Sequence, residues 1–236
     1  MRHADALVVT CEHASRGVPA PYRAMFAGVT ARAALVSHRG WDPGALALAR
    51  DIAHAHRAPL LAHTVTRLLV EPNRSAGHRH LFSEFSRGLS RTEKERVLAR
   101  YYAPHRERVE ATVARRIARG RRVLHIAVHT FTPVIDGARR RVDVAPLFDP
   151  RCRWERALCE TWIEALRNAD PALRVRRNSP YRGWGDGLTT YLRGRLPRSR
   201  YAGVELEVNQ NFPLGSPVRW RRLRRTIVDS LHELVG

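Results

Sequence analysis

Lysine is almost missing from this chain: of 42 basic residues, all but Lys94 are arginine. Acidic residues are also scarce, 22 in number, and the resulting formal charge of +20 raises the question of a nucleic-acid partner. The near-exclusive use of arginine, together with abundant alanine, points instead to biased codon usage. The short clusters at 114–122 (ARRIARGRR) and 219–225 (RWRRLRR) lie in helix-like stretches, where a solvated basic face is the expected outcome. No zinc finger, RNA-recognition signature or basic zipper accompanies them, so no nucleic-acid partner is expected. No apolar run approaches the roughly 18 residues of a membrane span, which argues against a membrane protein. The opening MRHADALVVT runs almost directly into a strand-like segment, without the apolar stretch and cleavage site of a secretory leader. Three cysteines (Cys11, Cys152, Cys159) are too few for a disulfide framework. A cytoplasmic protein with reduced thiols is the expectation. Compact HExxH and CxxC motifs are absent too, so any metal site has to be assembled from distant segments.

What is present is enough apolar material for a core, 44% of 236 residues, with no repeat, low-complexity tract or evident linker. One domain over residues 1–236 is expected. Short apolar runs predict strands at 6–10, 33–37, 63–70, 123–129, 141–148, 173–177 and 201–208. Helices are predicted at 43–56, with Asp42 as N-cap and Pro43 in the first turn, at 91–119 behind a Ser90/Glu93 capping box, at 151–168 and at 216–235. The stretch 71–90 is irregular and long enough to be a functional loop. Strands alternating with helices argue for a three-layer α/β/α sandwich with a mixed, largely parallel sheet.

In such sheets ligands bind beyond the carboxyl ends of the strands. Chemically useful residues do follow the apolar runs: Glu12-His13, His38 and Asp42, Glu71 with Asn73-Arg74, His129, then Glu205, Glu207 and Asn209. A catalytic zinc takes three His, Asp or Glu ligands and keeps one position open. His13, His129 and Asp42 meet that requirement. Glu12 is the alternative carboxylate, although in an extended segment its side chain points away from that of His13; His38 is a further candidate. One zinc ion is therefore the expected cofactor. Glu205, late in a buried strand, suits a carboxylate that moves protons between water and a leaving nitrogen. Asn73 and Arg74 follow a strand containing Arg67, and a planar guanidinium beside an amide suits a substrate carboxylate. The segment 178–194 (NSPYRGWGDGLTTYLRG) reads as a substrate-covering loop able to turn Tyr181, Arg182 and Asp186 inward.

Six motifs in order, CEHAS…P (11–19), SHRGWDPGA (37–45), TRLLVEPNRS (66–75), HTFTP (129–133), NSPYRG (178–183) and GVELEVNQ (203–210), resemble the N-formylglutamate amidohydrolase family. The resemblance covers about residues 7–212 and implies a zinc-exopeptidase-like fold. It implies a metal on His13, an acidic residue and His129, Glu205 as general base, and Asn73-Arg74 as a carboxylate clamp. Arg67 or Arg182 would stabilise the oxyanion, a contribution usually of a few kcal/mol. The chain departs from the family where Glu207 stands in place of an arginine, reversing a charge near the site. Together these features lead to a zinc-dependent hydrolase of an N-acyl, N-formyl in the family's own case, amide of a small acidic amino acid, a small-molecule carboxylate. The competing expectations are a peptidase or peptidoglycan-type amidase on the same fold, and a basic nucleic-acid-binding module with a degenerate site.

Overall fold

The computed structural model describes residues 3–236. In chain order, the strands are β1 (Ala6–Cys11), β2 (Leu60–Ala62), β3 (Val123–Phe131), β4 (Val134–Ile135), β5 (Ala138–Arg139), β6 (Val144–Leu147) and β7 (Tyr201–Asn209). The helices are α1 (Val29–Val36), α2 (Ala45–Ala55), α3 (Arg91–Val97), α4 (Ala103–Ala118), α5 (Arg153–Ala169), α6 (Leu188–Arg193) and α7 (Pro217–Ser230). A π-helical turn, Leu98–Tyr102, joins α3 to α4. Ser90 does cap α3, accepting from the backbone N–H of Glu93.

Five strands form one sheet in the order β2-β1-β3-β7-β6, parallel except for β6, and β4 and β5 make a separate hairpin. The sheet is thus mixed and mostly parallel, with helices on both faces. Because successive side chains alternate, Leu124, Ile126 and Val128 of β3 and Ala202, Val204, Leu206 and Val208 of β7 fill one face, beneath α2, α5 and α7. Each such branched residue removed from water contributes about 1.5–3 kcal/mol. On the other face Val8, Val123 and Tyr201 meet Val109 and Val113 of α4 and Leu188 and Leu192 of α6. Toward their carboxyl ends the strands give up apolar side chains on that face for polar ones, and that is where the site forms. All three cysteines are buried and unpaired, and among the described residues no helix is long and apolar enough to cross a membrane.

Four local expectations need correction. Residues 33–36 belong to α1 with Ser37 as its C-cap, not to a strand: Ala31 and Ala34, one helical turn apart, pack with Tyr22 and Phe26 in a second apolar cluster. The run 63–70 leaves the sheet after Ala62, because Leu68, Leu69 and Val70 are drawn into that same cluster. Residues 173–177 contribute a single bridge, Val144 with Val175. Helix α2 begins at Ala45 behind Gly44, whose φ of +84° is a left-handed conformation that glycine adopts freely. Asp42 does not cap the helix with its side chain, since that carboxylate is engaged by two histidines.

Two histidines within the core make stability pH-dependent. His125 lies between Thr10 Oγ1 and Tyr201 Oη, each 2.8 Å away, and His63 Nε2 meets the Tyr101 carbonyl at 2.9 Å. Burial pushes both imidazoles down to about 4. Between pH 6.5 and 4 the unfolded chain takes up protons that the folded chain refuses, so stability falls as pH falls through this window. The loss is on the order of 3 kcal/mol per histidine. Thermal unfolding of the metal-free protein should give a Tm that drops steadily from pH 7 to pH 5; a constant Tm would contradict the assignment.

Candidate functional site

The chain leaves β1 toward β2 on one side and returns to β3 on the other. The carboxyl ends of β1 and β3 therefore flank a topological switch point, where open α/β sheets leave a crevice. His13 lies two residues beyond β1 and His129 near the end of β3. Asp42 is brought to them by a backbone hydrogen bond from its N–H to the His13 carbonyl, 3.0 Å. His13 Nδ1 lies 3.2 Å from Asp42 Oδ2, His129 Nδ1 lies 3.1 Å from the same oxygen, and the two Nδ1 atoms are 3.1 Å apart. All three residues are buried and can hold one metal ion. Three donors at 2.0–2.1 Å from a tetrahedral zinc stand roughly 3.3 Å apart, so this nearly equilateral triangle fits zinc.

The far nitrogen of each imidazole faces a further carboxylate. His13 Nε2 is 2.6 Å from Glu71 Oε1, and His129 Nε2 is 3.2 Å from Glu12 Oε2. The hydrogen bond to Glu71 keeps the His13 proton on Nε2 and leaves its Nδ1 free to ligate, while Glu12 lies within ion-pair distance of His129 Nε2. Glu71 is itself held by Arg67 Nε at 2.6 Å and by the Asn73 N–H at 3.0 Å. Arg67 also reaches Asp42 Oδ1 at 3.4 Å, leaving Oδ2 to face the histidines. Burial alone would raise these carboxyls, but the cations overcome it: Arg67 and His13 for Glu71, His13 and His129 for Asp42, His105 and His129 for Glu12 hold all three well below the usual carboxylate range. His129, against burial, is pushed well above its ordinary value by Asp42 and Glu12.

The triad opens into a cavity of about 540 Å³, a size suited to a small molecule. Arg67, Asn73, Arg74, Tyr181, Arg182 and Glu205 all line it, alongside His13, Asp42 and His129. Glu205 is half-buried, and Thr189 Oγ1 donates to its Oε1 at 3.1 Å. A Cβ on Gly187 would stand 2.9 Å from that oxygen, so a larger residue at the start of α6 would displace the carboxylate. The same turn fixes Asn73 and Arg74: the Leu188 N–H donates to Asn73 Oδ1 at 2.7 Å, and Arg74 Nη1 donates to the Asp186 carbonyl. Tyr102 Oη at the end of the π-helical turn donates to the Arg74 carbonyl, and Arg106 Nη1 from α4 donates to that of Pro72. Tyr181 and Arg182 are exposed at the rim, where Arg140 Nη1 donates to Tyr181 Oη at 3.0 Å.

Of the alternative ligands, His38 is exposed and lies outside the triad, and Glu12 stands behind His129. The alternation argument placed Glu12 away from His13, and that much holds. Register explains where it goes. Thr10 pairs with Ala127 across β1 and β3, so two residues on, Glu12 and His129 are neighbours on one face. Sequence reasoning weighed Glu12 only as an alternative ligand, noted Glu71 at a strand end without giving it a role, and gave none to His105; Glu71 two residues before the Asn73-Arg74 pair was the available signal. His78, Thr130 and Glu207 also reach the cavity. Glu207 is pushed up to about 8 by burial.

Comparison with known proteins follows the same lines. The N-formylglutamate amidohydrolase family profile matches residues 5–212. A gene product of Agrobacterium tumefaciens has a similar structure, with TM-score 0.79 and 29% identity over 98% of this chain and 89% of the other. An N-formylglutamate amidohydrolase from Ralstonia eutropha JMP134 has TM-score 0.74 at 18% identity, over 99% of this chain and 95% of that one. Among curated proteins none matches significantly.

Proposed function

Since the chain belongs to the N-formylglutamate amidohydrolase family and is an amidohydrolase, we propose that it hydrolyses the N-acyl amide, N-formyl foremost, of a free amino acid at a single zinc ion. The observation that carries this reading is the buried His13–Asp42–His129 triangle opening on a cavity lined by Glu205 and Arg74. A zinc ion bound there supplies Lewis acidity, polarising the amide carbonyl and lowering the pKa of water toward about 7. Arg74 and Asn73 hold the substrate carboxylate and so set the distance from that anchor to the scissile bond. Glu205, steadied by Thr189, takes the proton from the attacking water and delivers it to the departing amine. Arg67 is anchored by Glu71 and Asp42, and its remaining N–H groups stabilise the charge that develops on the carbonyl oxygen. Arg182 and Tyr181 close over the bound acid from the rim.

The deciding experiment joins metal analysis of the purified protein to a screen of N-formyl and N-acetyl amino acids, with and without chelator. One zinc per chain and chelator-sensitive release of formate or acetate are expected; a metal-free protein with undiminished activity would refute the reading. Arg74→Ala should raise KM at least about tenfold for carboxylate substrates with a smaller change in kcat, because a clamp of this kind contributes to binding throughout the reaction. Steady-state kinetics check this, and an unchanged KM would exclude the clamp.

A further inference from the structure

At the end of the sheet opposite the cavity, the fold gathers arginines that are scattered along the chain. The turns entering β3 and β7 lie side by side there, because Val123 pairs with Tyr201 and its N–H donates to the Arg200 carbonyl at 2.8 Å. Arg200 Nη1 in turn donates to the Gly120 carbonyl. Arg119 and Arg121 stand on the first turn and Arg198 on the second, all of them exposed. Arg116 belongs to the same place, since its carbonyl accepts from the N–H groups of Arg119 and Arg121, both at 3.1 Å. Arg122 lies over the Trp154 ring, 4.1 Å from its centroid, and so joins the rim to the first turn of α5 and the exposed Arg153. Segment by segment these arginines are the solvated basic faces expected from the sequence. Pairing of β3 with β7 brings residues 80 positions apart onto one rim.

The charge collected there is not balanced. Among the described residues, none of Arg116, Arg119, Arg121, Arg153, Arg198 and Arg200 pairs with an acid. Two bordering acids are already engaged: Asp5 accepts from the Arg122 N–H at 2.7 Å, and Glu110 is held by Tyr191 and Arg195. Glu233 stands across the amino-terminal segment, where Ala4 pairs with Leu234 while Asp5 pairs with Arg122. Burial, and then the neighbouring charges of Arg115 and Arg119, pull the Arg116 guanidinium below its ordinary value. An array of this kind relieves its own repulsion by taking up anions, and guanidinium forks suit phosphate oxygens.

The setting narrows the choice of anion. The arginines are exposed on turns and helix ends, so they face an extended polyanion rather than a ligand enclosed in a cleft. A lipid surface would also need apolar side chains to insert. The exposed large apolar residues, Val29, Val36, Leu214 and Val218 among them, come from other segments. Single strands are held by stacking on aromatic rings, and the Trp154 ring of this rim is covered by Arg122. We infer that the rim binds the phosphate backbone of double-stranded nucleic acid, without reading its bases, at a surface separate from the hydrolytic cavity. This binding is independent of the amide-hydrolase reading.

Fluorescence anisotropy tests it, with a labelled DNA duplex of about 20 base pairs titrated with the full-length protein between about 50 and 200 mM salt. Log affinity against log salt should fall with a slope of about −4, the counterion release of four or five phosphates. A duplex of unrelated sequence should bind within about twofold. Arg119→Glu/Arg198→Glu should weaken binding at least about tenfold and flatten the slope by about 2. Arg221→Glu/Arg225→Glu, on α7, changes the net charge equally and should cost less than about threefold, because those residues lie off the rim. Arg119→Gln/Arg198→Gln repeats the first variant with a milder change should the glutamates unfold the protein, and an unchanged Tm shows that the fold persists. Equal losses from the two glutamate variants would reduce the effect to net charge and overturn the assignment. A slope near zero, a preference for a single strand, or binding to phosphatidylserine-containing vesicles in place of the duplex would overturn it as well.

Discussion

Glu205→Gln is expected to lower kcat by about 10²–10⁴, the usual contribution of a positioned general acid–base, while the protein keeps one zinc ion. Glutamine matches glutamate in volume and can still accept from Thr189 Oγ1, so the wall of the cavity and the start of α6 should hold their places. What it loses is the ability to take a proton. Glu205 is not among the three residues that can hold the ion, which is why metal content and catalysis should separate. Atomic absorption and a progress curve with the best substrate from the screen measure the two quantities on one sample. Retention of more than a few per cent of wild-type turnover would take the proton-transfer role away from Glu205.

The second large effect concerns the ion. Asp42→Ala is expected to abolish stoichiometric zinc and with it all measurable turnover. The substitution removes one of the three proposed ligands and also the anion that His13, His129 and Arg67 converge on. Truncating one member of such a buried charged set leaves the others uncompensated, so a lower Tm should accompany the metal loss. Glu71→Gln gives a graded version. The three ligands remain, but His13 Nε2 loses its carboxylate partner, and metal affinity should fall by about 10–100-fold. Competition with a chelator of known affinity, read by metal content and by Tm, resolves both variants. Full zinc occupancy in Asp42→Ala would dismiss the triad as the metal site.

Much of this site could be read before any coordinates. His13, His129 and Glu205 all follow or end apolar runs, and a parallel sheet offers one rim for such residues. Asn73, Arg74, Tyr181 and Arg182 came from segments read as loops, Arg67 from a predicted strand that the structure does not form, and all of them line the same cavity. The least legible part was the strand count near residues 33–37 and 63–70. A short run of alanine, leucine and valine has too few residues to separate a two-residue period from a 3.6-residue one. There the second apolar cluster, built around Phe26 and Leu69, decides the conformation.

The sequence by itself determined the α/β class, the presence of chemistry at the strand ends and which residue types were available for it, because periodicity and residue chemistry are local properties. Only the tertiary structure decided what stands next to what. Strand register sets Glu12 behind His129 and Glu207 beside it, and packing of the 63–75 segment delivers Glu71 to the back of His13. Register and packing arise from contacts between residues more than 50 positions apart, and no window along the chain contains both partners.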